Sequence, residues 1–162
     1  MIGSQMVLYE EEQKELEALC GQLLGDSLAK SIFLLDKNGQ VLAMYGETEH
    51  IDVTSLASLV AGTVAASGGL AKLLGEEEFP THVHEGRNEN LHLSLLGPEH
   101  ILTVVYDERS SLGLVRLRAR KSSPQFLGVF ERLTKKSESH DGGDLFGEIT
   151  DEDIDNLFSD AF

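Results

Sequence analysis

The sequence predicts an α/β (α+β) domain in which a five-stranded, antiparallel-rich sheet lies between helices, in the order α-β-β-α-β-β-β-α. Three observations carry this. Asn38-Gly39 sits between two short apolar runs and signals a hairpin. The stretch from Val53 to Ala71 has neither a charge nor a proline and is too long for a strand. Gly97-Pro98 then separates two further strand-like runs.

The elements follow in order. Leu16, Leu19, Cys20, Leu23 and Leu24 recur at helical spacing, and Gly25-Asp26 should end this first helix. Ile32 to Leu35 reads as a central strand, buried on both faces. Asn38-Gly39 supplies the positive φ angles of a type I′ turn, so Gln40 to Tyr45 should return antiparallel. A long second helix begins near Asp52 or Thr54, both good N-caps. Pro80 confines the next strand, about Phe79 to Glu85, to a sheet edge because proline cannot donate to a central ladder. Leu91, Leu93 and Leu95 alternate with His92 and Ser94, and Ile101 to Tyr106 completes a second hairpin. Leu112, Val115, Ala119, Ser122, Phe126, Phe130 and Leu133 share one face of a third helix, which Pro124 should kink or interrupt. Alternation at Val115 to Arg120 also permits a strand there.

Composition bounds the function classes. A chain of 162 residues, 41% hydrophobic, suits one domain, placed at residues 1–137, with an appendage at 138–162. One cysteine, Cys20, excludes an internal disulfide and a multi-cysteine metal site, and the expected compartment is the cytoplasm. The start carries no signal-peptide pattern, and no apolar run reaches the roughly 18 residues of a spanning helix, so no membrane role is expected. A formal charge of -15 opposes binding to nucleic acid or anionic lipid. Asp141 to Phe162 holds eight acidic residues and no Lys or Arg, which sets the tail apart.

Few residues offer chemistry. His82 and His84 point to one face, with His92 across the turn, but the spacing offers no further ligand and no metal is expected. Ser67-Gly68-Gly69 lies inside a helix rather than on a nucleophile's sharp turn, and no phosphate-binding glycine loop occurs. No active site and no cofactor are therefore expected. Arg116, Arg118, Arg120 and Lys121 could meet an acidic partner, although a solvated helix face explains them more simply. Cys20 reads as a small core residue.

The second helix carries more information. Leu56, Leu59, Val60, Thr63, Val64, Leu70 and Leu74 form an apolar flank, while Ser58, Gly62, Ala65, Gly69 and Lys72 make a nearly all-small stripe. Each interior glycine costs about 1 kcal/mol against alanine, so close approach by another backbone, from the chain's own sheet or from a partner, should compensate. In the tail, Gly142-Gly143 marks a flexible linker, and Ile154, Leu157, Phe158 and Phe162 share one face of a short acidic helix fit for docking in a groove.

Several of these segments resemble bacterial members of the roadblock/dynein light chain family. They are 36–40 (DKNGQ), 52–59 (DVTSLASL), 65–73 (AASGGLAKL) and 110–116 (SSLGLVR). The segment Glu148 to Phe158 is similar to the C-terminal segment of members from gliding bacteria, and Pro124 is a departure. The resemblance implies a roadblock-type fold and a homodimer whose edge strands and second helices meet to form one extended sheet. That surface would receive a single GTP-bound, small Ras-like GTPase of MglA type. The regulator would stimulate GTP hydrolysis without inserting an arginine, by selecting the GTPase's own competent conformation. Ala65 and Gly69, with Ser58, Gly62 and Lys72, would face the GTPase, and Ile154, Leu157 and Phe158 would dock the tail. A role in cell polarity and motility, with enrichment at a pole, is implied too. The alternatives are a roadblock adaptor that binds a GTPase without accelerating it, and a profilin-like or PAS-like ligand sensor.

Overall fold

The computed structural model describes residues 9–146 together with Glu152, Asp155, Asn156 and Ser159. The elements are α1 (Glu10–Ser27), β1 (Ser31–Asp36), β2 (Val41–Gly46), α2 (Val53–Leu73), β3 (Thr81–Glu85), β4 (Asn90–Leu96), β5 (His100–Tyr106) and α3 (Leu112–Phe146). The predicted order is the observed one. The sheet is antiparallel throughout, in the order β2-β1-β5-β4-β3, so β1 is an interior strand, β5 is the middle one and the strand after Pro80 is an edge.

One face of the sheet packs under α1 and α3. Leu16, Cys20 and Leu23 of α1 meet Val115, Ala119, Phe126 and Leu133 of α3 over Ile32, Leu34 and Val104. Burial pushes the Cys20 thiol up to about 12, as expected of a core sulfur. Ion pairs Arg132–Glu15 and Lys136–Glu12 tie the two helices together. On the other face α2 lays Ala57, Val60 and Val64 against Phe33, Leu35, Leu93 and Ile101.

Four local expectations need correction. First, α1 runs past Gly25-Asp26 to Ser27 and is ended by Leu28 in the left-handed region at φ 55. Ser27 bonds back to the Leu23 carbonyl and its own carbonyl accepts from the Ser110 hydroxyl, so tertiary contacts hold the last turn. Second, only Gly39 of the β1–β2 turn has positive φ, at 86. The Asp36 side chain accepts from the backbone N–H groups of Asn38 and Gln40, and Gly39 N–H donates to the Asp36 carbonyl. This is a three-residue loop closing on a left-handed glycine, with a bulge at Leu34/Leu35, rather than a type I′ turn.

Third, α3 is unbroken at Pro124 and has no strand in it. Pro124 lies on the exposed face beside exposed Arg120, the residue whose carbonyl loses its donor, so water can replace the missing bond. The Ser122 and Ser123 hydroxyls both donate to the Ala119 carbonyl one turn earlier. α3 also continues through Gly142 and Gly143, where a linker was expected. Fourth, α2 is long and apolar enough, by length and composition alone, to cross a membrane. The sequence reading missed this because Gly, Ser and Thr interrupt the apolar residues of the run. Within the fold, its inner residues lie on the sheet.

A candidate partner-binding surface on the second helix

α2 starts at Asp52, whose carboxylate accepts from the Ser55 N–H at 3.2 Å and from the Ser55 hydroxyl at 2.7 Å. Those bonds hold the Asp52 carboxyl below the usual carboxylate range. The helix then crosses the sheet toward the β1–β2 turn, where a Cβ on Gly39 would stand 3.2 Å from Ser58 Cα. Only Ala57, Val60, Val64 and Ala71 are buried along it. The expected apolar flank is therefore divided. Val60 and Val64 face the core, whereas Leu59 is 71% and Leu70 57% exposed, as are Leu73 and Leu74 beyond them.

The small stripe looks outward. Ser58, Gly62, Ala65, Gly69 and Lys72 lie off the buried face, and a Cβ built on Gly62, Gly68 or Gly69 would meet nothing within 4 Å. The chain's own sheet therefore does not explain these glycines. Sequence reasoning missed that the exposed leucines rim the stripe. The buried alanines at 57 and 71, where a core helix would place larger residues, were the available signal.

Beside the stripe lies a cleft of about 410 Å³ between α2 and the segment leading into β3, lined among others by Ala65, Ser67, Gly69, Lys72, Phe79 and His82. His82 Nε2 lies 2.9 Å from the Phe79 carbonyl, which can only accept, so Nε2 carries the proton. Nδ1 is then free to accept from the Ser67 hydroxyl at 3.2 Å. His82 is thus a strut between helix and strand. It shares a face with His84, but Val83 pairs with His92 in the ladder, which places His92 on the opposite face. The three histidines do not converge, and no group of three potential metal ligands occurs among the described residues.

β3 pairs only with β4 within the described chain, so its outer edge is an open ladder. Arg116, Arg118 and Arg120 are on α3, across the sheet from α2. Arg109 is held by Asp107 at 3.0 Å and Glu47 at 3.2 Å. Ile154, Leu157 and Phe158 lie outside the described residues.

A family model described as the Roadblock/LC7 domain matches residues 15–106, from the middle of α1 to the end of β5. The chain belongs to the Roadblock/LC7 family. Among solved roadblock structures, Myxococcus xanthus MglB is 52% identical, covering 78% of this chain and 96% of its own, with a TM-score of 0.74. The gliding protein MglB from Thermus thermophilus is 31% identical over 81% of this chain and 99% of its own, at 0.75. A structure described as MglB with tetrameric arrangement is 30% identical over 82% and 99%, at 0.77. No curated protein matches the chain. Acanthamoeba castellanii profilin IA, 10% identical over 69% of this chain and 96% of its own with a TM-score of 0.53, shares the fold alone. The roadblock likeness to MglB extends beyond the 15–106 match into α3.

Proposed function

We propose that this roadblock protein is a homodimeric regulator that binds the GTP-loaded form of a small Ras-like GTPase of MglA type and stimulates its GTP hydrolysis. The observation that carries the reading is the outward stripe Ser58, Gly62, Ala65, Gly69 and Lys72, whose glycines have open space above them. A helix weakened by three interior glycines is sensible where another backbone must come close. The exposed leucines at 59, 70 and 73 and the open β3 edge supply a self-association surface next to it.

In this reading the regulator contributes shape rather than a catalytic group. The α3 arginines sit on the wrong side of the sheet for α2, and Arg109 is already paired with two carboxylates. The GTPase's competent conformation is selected because it fits the dimer better than its resting one. The tail residues Ile154, Leu157 and Phe158 add affinity through their tether. The likeness to MglB proteins, one of them described as a gliding protein, supports a place in motility and polarity control in the cytoplasm, with enrichment at a pole.

The deciding experiment is phosphate release by a candidate GTPase from the same organism, with and without this protein. Acceleration by at least about tenfold is expected, which is modest beside the gain an inserted arginine supplies. Binding without acceleration would overturn the hydrolysis claim in favour of an adaptor.

A further inference from the structure

The cations that the GTPase reading leaves unused gather on the opposite face of the sheet, which a dimer built through β3 and α2 leaves open. Arg116, Arg118, Arg120 and Lys121 follow one another near the start of α3. None has an ion-pair partner among the described residues, although the chain holds 28 acidic residues to 13 Lys and Arg. Arg118 is half-buried, and its Nε is shielded from solvent without a hydrogen-bond partner among the described residues. Buried polar groups nearly always have one. Beside it a cleft of about 190 Å³ opens between the end of α1 and the start of α3, lined among others by Leu19, Asp26, Arg118, Lys121 and Gln125. That is below the roughly 300–1,000 Å³ of a small-molecule site but ample for a carboxylate side chain. Asp26, the one acid lining the cleft, bridges to neither cation.

An apolar strip runs alongside the cations. Leu114 and Arg118, like Leu117 and Lys121, are four apart on α3 and so are neighbours on its surface, and Leu117 is 46% exposed. Leucines beside cations suit an acidic amphipathic segment, and residues 147–162 of this chain have that composition. They hold six acidic residues and no Lys, Arg or His. At helical spacing Asp151 and Asp155 flank the face formed by Ile154 and Phe158. The segment cannot reach its own groove. Arg118 lies 28 residues before Phe146 on α3, about 42 Å at 1.5 Å per residue, whereas Ile154 follows Phe146 by only eight residues, about 29 Å of chain at full extension. The donor is therefore a second copy. The chain's remaining acids do not forbid the contact, because a screening length of about 8 Å at physiological salt hides the distant ones.

We infer that the α1–α3 groove docks the acidic tail of a second copy, with tail carboxylates at Arg118 and Lys121 and the tail's apolar face on Leu114 and Leu117. Because this uses the tail residues assigned to the GTPase, which rests on that reading, the groove holds the tail while no GTPase is bound. The test needs no GTPase, so its failure is distinct from failure of that reading. The full chain, isotopically labelled, is titrated with a synthetic peptide of residues 147–162 and its amide resonances are followed by NMR. Saturable shifts are expected at Leu117, Arg118 and Lys121, and not at Ala65 or Gly69. A peptide of the same composition, scrambled so that its apolar residues share no face, should bind at least about threefold more weakly. Lys121→Glu, a change at an exposed site, should weaken the parent peptide by at least about threefold. Arg118→Lys, which keeps the charge and loses the planar fork, should weaken it by about fivefold. The proposal is overturned by an absence of saturable shifts, by shifts confined to α2, by equal binding of the scrambled peptide, or by unchanged affinity in Lys121→Glu.

Discussion

Converting both Ala65 and Gly69 to arginine separates a partner surface from a structural one. Four residues apart, the two positions share one face of α2, so both substitutions act on a single contact. Both are exposed, and a Cβ on Gly69 meets nothing within 4 Å, so neither side chain is forced into the core. Arginine in place of Gly69 should gain about 0.8–1 kcal/mol in helix propensity, and in place of Ala65 should lose a few tenths. The net change in stability is therefore under ~1 kcal/mol and favourable, which raises the melting temperature by roughly 2–4 °C at most for a chain of this size. At a close GTPase contact the same change introduces two long cations, and an effective penalty of several kcal/mol for burying an unpaired charge corresponds to an affinity loss of at least about 100-fold. The assay pairs a pulldown with GTP-loaded GTPase with a thermal melt and light scattering. Retained binding refutes the assignment of the stripe. So does a fall of several degrees in melting temperature, or loss of the dimer, because each would mean that α2 uses this face to hold the protein itself together.

Four further outcomes are expected. Light scattering at micromolar concentration should report a homodimer, and a monomer would remove the proposed two-helix platform. Alanine at Arg109, Arg116, Arg118 or Arg120, taken singly, should leave GTPase stimulation within severalfold of the parent, whereas loss of about 10³–10⁵ would mark an inserted arginine and defeat the mechanism. Truncation after Phe146, which keeps α3 whole, should weaken the GTPase complex while the dimer stays folded; an unchanged dissociation constant would make the tail a solubilising appendage. The last outcome concerns pH. Burial, reinforced by the Arg116 charge, pushes His92 down to about 4, so the native state resists protonation that the unfolded chain accepts near 6.5. Stability should be full above pH 6.5 and fall as pH drops from there toward 4, and His92→Leu should flatten part of that slope in urea melts at stepped pH. An unaltered slope would show that His92 titrates normally.

What the sequence made legible was mostly periodicity. Strands with alternating or uniformly apolar patterns, the edge position beside Pro80 and the inner face of α3 could each be placed from residue spacing alone. Features that depend on a hydrogen bond across the chain could not. The end of α1 is set by Ser110 reaching Ser27 from 83 residues away, and the turn at Gly39 is decided by which backbone groups the Asp36 carboxylate collects. Pro124 misled for a related reason. The cost of a helical proline depends on whether its orphaned carbonyl meets water or core, and the spacing of Phe126 and Phe130 could have shown that Pro124 faces out. On α2 the stripe was visible as a pattern, but which leucines were buried was not, since alanines take two of the four core positions.

The two faces of the sheet explain why apolar openings lie together on the α2 side. Against α1 and α3 the sheet meets two helices, and Phe126, Phe130, Leu16 and Leu133 close the space between them. Against α2 it meets a single helix carrying small buried residues, which cannot cover five strands of apolar side chains. Three openings follow on that side: the cleft near His82, a trough over Ser31 and the bare leucines of α2 itself. A monomer leaving this much apolar surface uncovered is costly at about 25 cal/mol per Å², and the open β3 edge lies next to it. A second copy placed edge to edge would pair that ladder and bring a second α2 over the shared face. The same step would put two small-residue stripes side by side, which is the platform that a single GTPase would require.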